Sequence, residues 1–129
     1  MYGIIATWRM ALEGISKAES MLKNNESAAD SIEEAIKAVE DFEYYKSVGY
    51  GGLPNEEMEV ELDAAFMNGD TLEFGCVGGV KDFANPVSIA RSLMHYDANN
   101  FLVGQGAEKY ASRHGFERKT MLTDRAKIH

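Results

Sequence analysis

The chain has 129 residues, of which 13 are basic and 21 acidic, so its formal net charge is −8. This length fits one domain, and 45% hydrophobic residues with only two prolines predict a folded globule. The acidic balance argues against nonspecific binding to nucleic acid or to an anionic membrane, because both need a cationic surface. No apolar run approaches the roughly 20 residues that span a bilayer. With no basic residues before the first apolar run, and with Cys76 as its single cysteine, the chain is expected to be cytoplasmic.

The first forty residues predict one short strand and two helices. Ile4–Ala6 is an apolar run that suits a buried strand, and a helical apolar stripe follows from Met10 to Leu22. Ser27 and Asp30 resemble a capping box at the start of the second helix, with aspartate in the position usual for glutamate. The polar face of that helix is predicted to carry Glu33, Glu34, Lys37 and Glu40.

The central region predicts a loop followed by a β-hairpin. Ser47–Asn55 contains three glycines in four residues, which indicates positive backbone φ angles or close packing against the backbone. Alternating residues in Val60–Ala65 and the apolar run Thr71–Val77 flank the turn Asn68–Asp70. Two such runs around an Asn-Gly pair are typical of a hairpin.

The last third predicts a helix, a short strand and another helix. Asn85 is expected to cap the first helix, with Pro86 in its first turn. Phe101–Val103 is a strand candidate, Gly104–Gly106 a turn, and Ala107–His114 a helix that ends before Gly115. The order β-α-α-loop-β-β-α-β-α favours an α+β fold with helices packed on an antiparallel sheet.

Few residues suggest chemistry by pattern alone. The three histidines (His95, His114 and His129) are scattered at spacings that do not suit a metal site, and no cofactor or metal is predicted. Cys76 is better explained as a small buried side chain than as a catalytic thiol, and Asp63 as a hydrogen-bonded structural carboxylate. Trp8 follows the first predicted strand directly, and its position suits a pocket and a core equally well.

Eight segments in this order resemble the α-subunit of the glycosylasparaginase and threonine-type asparaginase family, which are N-terminal-nucleophile hydrolases. The resemblance extends to about Thr123. The segments are Ala6–Trp8, Ala29–Glu33, Ser47–Asn55, Glu61–Gly69, Val77–Lys81, Asn85–Arg91, Leu102–Ala107 and His114–Phe116.

The resemblance implies a four-layer α-β-β-α sandwich whose two antiparallel sheets face each other between helical layers. In this family, a precursor cuts its own backbone before a threonine that becomes the first residue of a β-subunit and the nucleophile. Its α-amine, with a pKa near 8, then acts as the base on the same residue. The substrate would be an asparagine derivative that is cleaved at its side-chain amide.

The family's nucleophile lies in a His-Asp-Thr-Ile-Gly type segment, and none of the four threonines here has that context. Residues 1–129 are therefore expected to form a single, incomplete domain that is inactive alone, with about 118–129 as the start of the linker between subunits. A β-subunit completes the protein by this resemblance, in an (αβ)₂ assembly without nucleic acid or membrane partners.

Two residues carry a role over from the family's motifs. Trp8 matches the tryptophan that lines the substrate pocket, and Ser47 matches the serine that positions the nucleophilic threonine. Gly49, Gly51 and Gly52 are expected to shape the loop.

The leading hypothesis is the α-subunit of an amidohydrolase for glycoasparagine, with asparagine and β-aspartyl peptides as further possible substrates. The Ser-Val-Gly-Tyr-Gly-Gly loop is closer to the glycosylasparaginase branch than to the plant-type branch. The alternative is a non-catalytic fragment or interaction module of the same fold. An isolated half of a sandwich would expose apolar sheet surface, which argues against that alternative.

Overall fold

The computed structural model describes residues 1–128 and has the α+β composition that the sequence predicts. Within these residues, three strands form one sheet in which they lie in chain order, and two of the four helices pack directly on one face of it. The elements in chain order are a 3₁₀ turn at Arg9–Ala11, α1 (Leu12–Lys23), α2 (Ala28–Glu40), β1 (Leu62–Met67), β2 (Phe74–Val80), α3 (Pro86–Leu93), β3 (Phe101–Val103), α4 (Gly104–Arg113) and a 3₁₀ turn at Ala126–Ile128.

The two N-terminal helices form where the sequence predicts them and pack closely. The Ser27 side chain accepts a hydrogen bond from the backbone N–H of Asp30 at 3.0 Å and so caps α2. A Cβ at Gly14 would lie 2.3 Å from the carbonyl oxygen of Ala35. Glycine at this position therefore allows the backbones of α1 and α2 to approach each other.

The prediction of an antiparallel sheet is correct for the hairpin and wrong for the third strand, so the sheet is mixed. β1 and β2 form the expected antiparallel hairpin, with Met67 paired to Phe74. β2 and β3 are parallel, with Cys76 paired to Phe101. Helix α3 connects these two strands as a crossover, and a crossover returns the chain in the same direction. A second, facing sheet is not present among residues 1–128.

The predicted first strand, Ile4–Ala6, is also wrong. These residues belong to no strand of the described sheet, and the side chain of Ile5 is 91% exposed. A strand needs a hydrogen-bonding neighbour, and none of the three strands reaches this segment.

The main core lies between the sheet and helices α3 and α4. Gly75 faces α3 so closely that a Cβ there would lie 1.9 Å from the carbonyl oxygen of Ala90. Arg91 pairs with Asp30 at 2.7 Å and with Glu33, which ties α3 to α2. The largest side chains of this core that are less than 2% exposed are Phe83, Ile89, Leu93, Val80 and Val87.

The C-terminal segment packs against the body of the protein. Arg118 forms a β-bridge with Phe83, and the backbone N–H of Lys119 donates to the carbonyl of Asp82 at 2.9 Å. Met121 is fully buried in a second apolar cluster with Val60 and Leu62. The segment therefore contributes to the fold, and its role as a linker stays a prediction. His129 lies outside the described residues.

The sheet face opposite the helices is uncovered and largely apolar. Paired residues of neighbouring strands point to the same face. This face consists of Ala65, Met67, Phe74, Cys76, Gly78, Phe101 and Val103, and its four largest side chains are 45–59% exposed. Cys76, expected to be buried, is half-buried here because no second layer covers it. We call this surface the open sheet face.

Candidate functional site

An apolar groove runs between the N-terminal segment and the first two helices. Its volume is about 320 Å³. Trp8 lines it and is 70% exposed, so Trp8 borders a groove and is not part of the core. Other lining residues come from the N-terminal segment, α1, α2 and the glycine loop, namely Ile4, Ile5, Ile15, Ile32, Ile36, Val39 and Val48.

The glycine loop has the backbone geometry that its sequence predicts. Gly49 and Gly51 have φ angles of +64° and +79°, a conformation that L side chains rarely adopt. A Cβ at Gly49 would lie 2.1 Å from the carbonyl oxygen of Glu40, and one at Gly51 would lie 2.4 Å from that of Glu43. Both positions therefore require glycine. Gly52 is buried, and a Cβ there would be 3.0 Å from the Gly49 carbonyl oxygen.

Ser47 lies at the exposed start of this loop. The loop closes on itself through a hydrogen bond from the backbone N–H of Leu53 to the carbonyl of Lys46 at 2.8 Å. Val48, the next residue after Ser47, lines the same groove as Trp8. The structure thus brings the Trp8 segment and the Ser47 loop to one region, with Ser47 beside the groove lining.

A residue of this region that sequence reasoning missed is Glu40, the last residue of α2. It was predicted on the polar face of the helix, but it is only 2% exposed. Its side-chain oxygens accept hydrogen bonds from the backbone N–H of Val87 at 3.1 Å and from Asn85 Nδ2 at 3.0 Å. One local signal existed, since a carboxylate at the C-terminal end of a helix opposes the helix dipole.

Burial raises the pKa of the Glu40 carboxyl from 4.5 to about 7. The hydrogen bonds from Asn85 and Val87 favour the ionised form and limit this increase. The neighbouring Asp41 carboxylate raises the pKa further, and Lys37 lowers it. Glu40 therefore changes its charge close to neutral pH.

The same contacts correct the prediction for Asn85. Asn85 does precede α3, and Pro86 does occupy its first turn, but the Asn85 side chain makes no capping hydrogen bond. Its Nδ2 group donates instead to Glu40 and, at 2.9 Å, to Asp41. The carboxylate of Glu40 takes over the capping role at Val87, where a negative charge is favourable.

Asp63 is confirmed as a hydrogen-bonded carboxylate, since its Oδ1 accepts from the backbone N–H of Gly79 at 2.8 Å. Among residues 1–128, no three His, Cys, Asp or Glu side chains are grouped closely enough to hold a metal ion. In the same part of the chain, each helix is too short or too polar to cross a lipid bilayer.

These features define an α+β protein with an apolar groove beside a tightly packed glycine loop. A family model described as asparaginase (Asparaginase_2) matches residues 5–128, and the chain belongs to this family.

Several relatives are similar along most of this chain. An N(4)-(β-N-acetylglucosaminyl)-L-asparaginase from Elizabethkingia miricola is 34% identical over 93% of this chain and 35% of its own length. An isoaspartyl peptidase/L-asparaginase from Rattus norvegicus is 37% identical over 91% of this chain and 37% of its own length. A plant-type L-asparaginase from Thermococcus kodakarensis is 36% identical, over 94% and 35% respectively. The chain thus spans about a third of the length of the curated relatives it matches.

Proposed function

We propose that this chain is the α-subunit of an autoprocessed amidohydrolase that cleaves the side-chain amide of asparagine derivatives. The observation that carries the proposal is the match of the asparaginase family to residues 5–128. In this proposal, the nucleophilic threonine is the first residue of a β-subunit. The four threonines of this chain have no part in that role.

The open sheet face supports the proposal that a second sheet packs on this chain. Met67, Phe74, Phe101 and Val103 form a contiguous apolar surface that a monomeric protein rarely exposes. In a sandwich of two sheets, such a face packs against a second sheet about 10 Å away. A β-subunit that supplies this sheet would complete the four-layer fold.

The proposed mechanism divides the work between the two subunits. The α-amine of the β-subunit threonine takes the proton from its own hydroxyl, which attacks the amide carbonyl of the substrate. N–H and hydroxyl donors stabilise the oxyanion of the tetrahedral intermediate. The protonated α-amine gives this proton to the departing nitrogen, so the C–N bond breaks, the amine or ammonia leaves and a β-aspartyl ester forms. Water then hydrolyses the ester.

In this chain, Ser47 and Trp8 would assist that chemistry. Ser47 is exposed, so its hydroxyl would be accessible to hydrogen-bond the threonine amine and orient it. Trp8 would provide an aromatic wall for the substrate at the groove. The glycines would keep the loop in one shape, since two of their φ angles are positive.

Glycoasparagine is the substrate we place first. The Ser-Val-Gly-Tyr-Gly-Gly loop supports this choice over the plant-type branch. Relatives of all three names have similar identity to this chain, so the substrate must be decided by assay.

The first test is a denaturing intact-mass spectrum of the protein purified from its natural source. A second species whose sequence begins with threonine would support the two-subunit proposal. A single species that is monodisperse and melts cooperatively would instead favour the non-catalytic alternative.

The second test measures hydrolysis of N-acetylglucosaminyl-asparagine, asparagine and a β-aspartyl dipeptide by the assembled protein. We expect Ser47→Ala to lower kcat and Trp8→Ala to raise KM, whereas Trp8→Phe should retain part of the affinity. Ser112→Ala, which removes an exposed hydroxyl on α4, is the matched control. Absence of hydrolysis for all three substrates would contradict the proposed activity.

A further inference from the structure

The buried end of α2 connects the glycine loop to the rest of the fold. The backbone carbonyl of Glu40 accepts a hydrogen bond from the N–H of Tyr50 at 2.7 Å. The Cα, C and O atoms of Glu40 also form the surface against which Gly49 lies, so closely that only hydrogen fits on that glycine. The part of the loop that directly follows Ser47 and Val48 therefore rests on the backbone of Glu40, whereas Gly51 further along packs on Glu43.

The side chain of Glu40 fixes that backbone in place. One oxygen accepts from the N–H of Val87 in the first turn of α3, and the other accepts from Asn85 Nδ2. Helix α3 packs in turn against the sheet, with Val87 and Ala90 fully buried. The contacts thus form a continuous path from the sheet through α3 and Glu40 to Gly49 and Tyr50.

A carboxylate at this buried position lowers the stability of the fold through its desolvation. Its desolvation opposes the gain from two hydrogen bonds, and buried charged groups often contribute little net stability. An apolar side chain could fill the same space, but it could not join the end of α2 to the start of α3. What Glu40 provides is a fixed geometry where two helix ends meet.

We propose that Glu40 is a positioning residue for Ser47, acting through the contacts of its backbone with Gly49 and Tyr50. The proposal rests on the proposed role of Ser47 in orienting the threonine nucleophile. Glu40 does not contact the substrate in this assignment. It holds the loop so that the Ser47 hydroxyl stays within reach of the threonine amine.

The test compares Glu40→Ala and Glu40→Gln in the assembled protein with Ser27→Ala as the control. The control removes the cap at the opposite end of α2 and lowers the stability of the same helix without touching the loop. Glutamine can still accept the hydrogen bond from Val87, but its amide group faces the amide of Asn85. The Glu40→Gln variant should therefore fold even where Glu40→Ala does not. Its effect on the loop should lie between those of the wild type and Glu40→Ala.

Hydrogen exchange provides a measurement that does not depend on activity. We expect Glu40→Ala to accelerate exchange at the Tyr50 amide by about fivefold or more beyond the change in Ser27→Ala, because local opening governs exchange there. Glu40→Gln should give a smaller increase. Equal exchange at Tyr50 in all Glu40 variants and the control would overturn the proposal.

Kinetics then test the link to Ser47. We expect kcat to fall by roughly tenfold to a hundredfold in Glu40→Ala with KM nearly unchanged, because misplacement of a reacting group by about 1 Å has effects of this size. The control should retain the wild-type kcat. Faster loop exchange with an unchanged kcat would refute the positioning role. If the wild-type protein hydrolyses none of the three substrates, the proposed function fails, and the positioning role for Ser47 falls with it even where the exchange result remains.

Discussion

The buried carboxyl of Glu40 should make the stability of this protein fall as the pH rises towards neutrality. Its pKa is about 7 in the folded protein, against 4.5 for an exposed glutamate. Between these values the folded state binds one proton more than the unfolded state, so the free energy of unfolding decreases with pH. At about 1.4 kcal/mol for each pH unit, the loss amounts to about 3 kcal/mol between pH 4.5 and 7.

Glu40→Gln isolates this contribution, because glutamine binds no proton in either state. The assay is urea unfolding of the wild type and the variant from pH 4.5 to 8, followed by far-ultraviolet circular dichroism. The free energy of unfolding of the variant, relative to that of the wild type, should increase by about 3 kcal/mol across this range. The reason is that only the wild type acquires a buried charge as the pH rises.

Glu34→Gln is the control on the same helix. Lys17 and Lys37 lower the pKa of Glu34, so its stabilising effect is present above the ordinary glutamate pKa and lost below it. The difference in free energy of unfolding between Glu34→Gln and the wild type should stay constant between pH 5 and 8. If the difference in free energy of unfolding between Glu40→Gln and the wild type were also constant over that range, the raised pKa of Glu40 would be refuted.

Three other substitutions test the packing of the loop and the helices. Gly49→Ala should destabilise by more than about 4 kcal/mol, because its Cβ would lie 2.1 Å from the Glu40 carbonyl oxygen and its φ is +64°. Gly106→Ala, with open space around the new methyl group, should instead stabilise α4 by about 0.5–1 kcal/mol. Met121→Ala should cost about 2–5 kcal/mol if the C-terminal segment belongs to the fold, because Met121 is fully buried. Urea unfolding measures all three. A near-zero effect at Gly49 or Met121, or a loss at Gly106, would contradict the packing described.

Local sequence signals predicted α2 well and the hairpin turn less well. The cap of α2 depends on residues only three positions apart, Ser27 and Asp30, so its prediction needed no knowledge of the fold. The Asn-Gly pair suggested a tight turn, but Met67 pairs with Phe74, which leaves six residues in the loop. There Asn68 accepts from the backbone N–H of Asp70 at 2.9 Å, and Leu72 adopts a φ of +61°. A positive φ at leucine is uncommon and is not evident from sequence.

The start of α4 shows a similar limit. Gly104–Gly106 was predicted as a turn because glycines disfavour helices, yet α4 begins at Gly104. The φ angle of +50° at Gly104 lets the chain pass directly from β3 into the helix. One glycine therefore replaces the connecting loop.

The position of Glu40 could not be predicted, because its partners are remote in sequence. Val87 and Asn85 lie 47 and 45 residues further along the chain. On a helical wheel Glu40 shares the polar face with Glu33, and Glu33 is also drawn to α3, where it accepts hydrogen bonds from Arg91 and Ser88. The polar face of a helix has the same sequence pattern whether it hydrogen-bonds to another helix or is exposed to water.

The arrangement of the strands gives a further argument for the proposed second sheet. The crossover through α3 and the direct entry into α4 place both helices against the same side of the sheet. A parallel strand pair is normally covered on both faces, and the pairing of β2 with β3 is parallel. Phe74 and Phe101 are exposed on the other side, so residues 1–128 leave that face of the parallel pair uncovered. The second sheet proposed above would supply that cover.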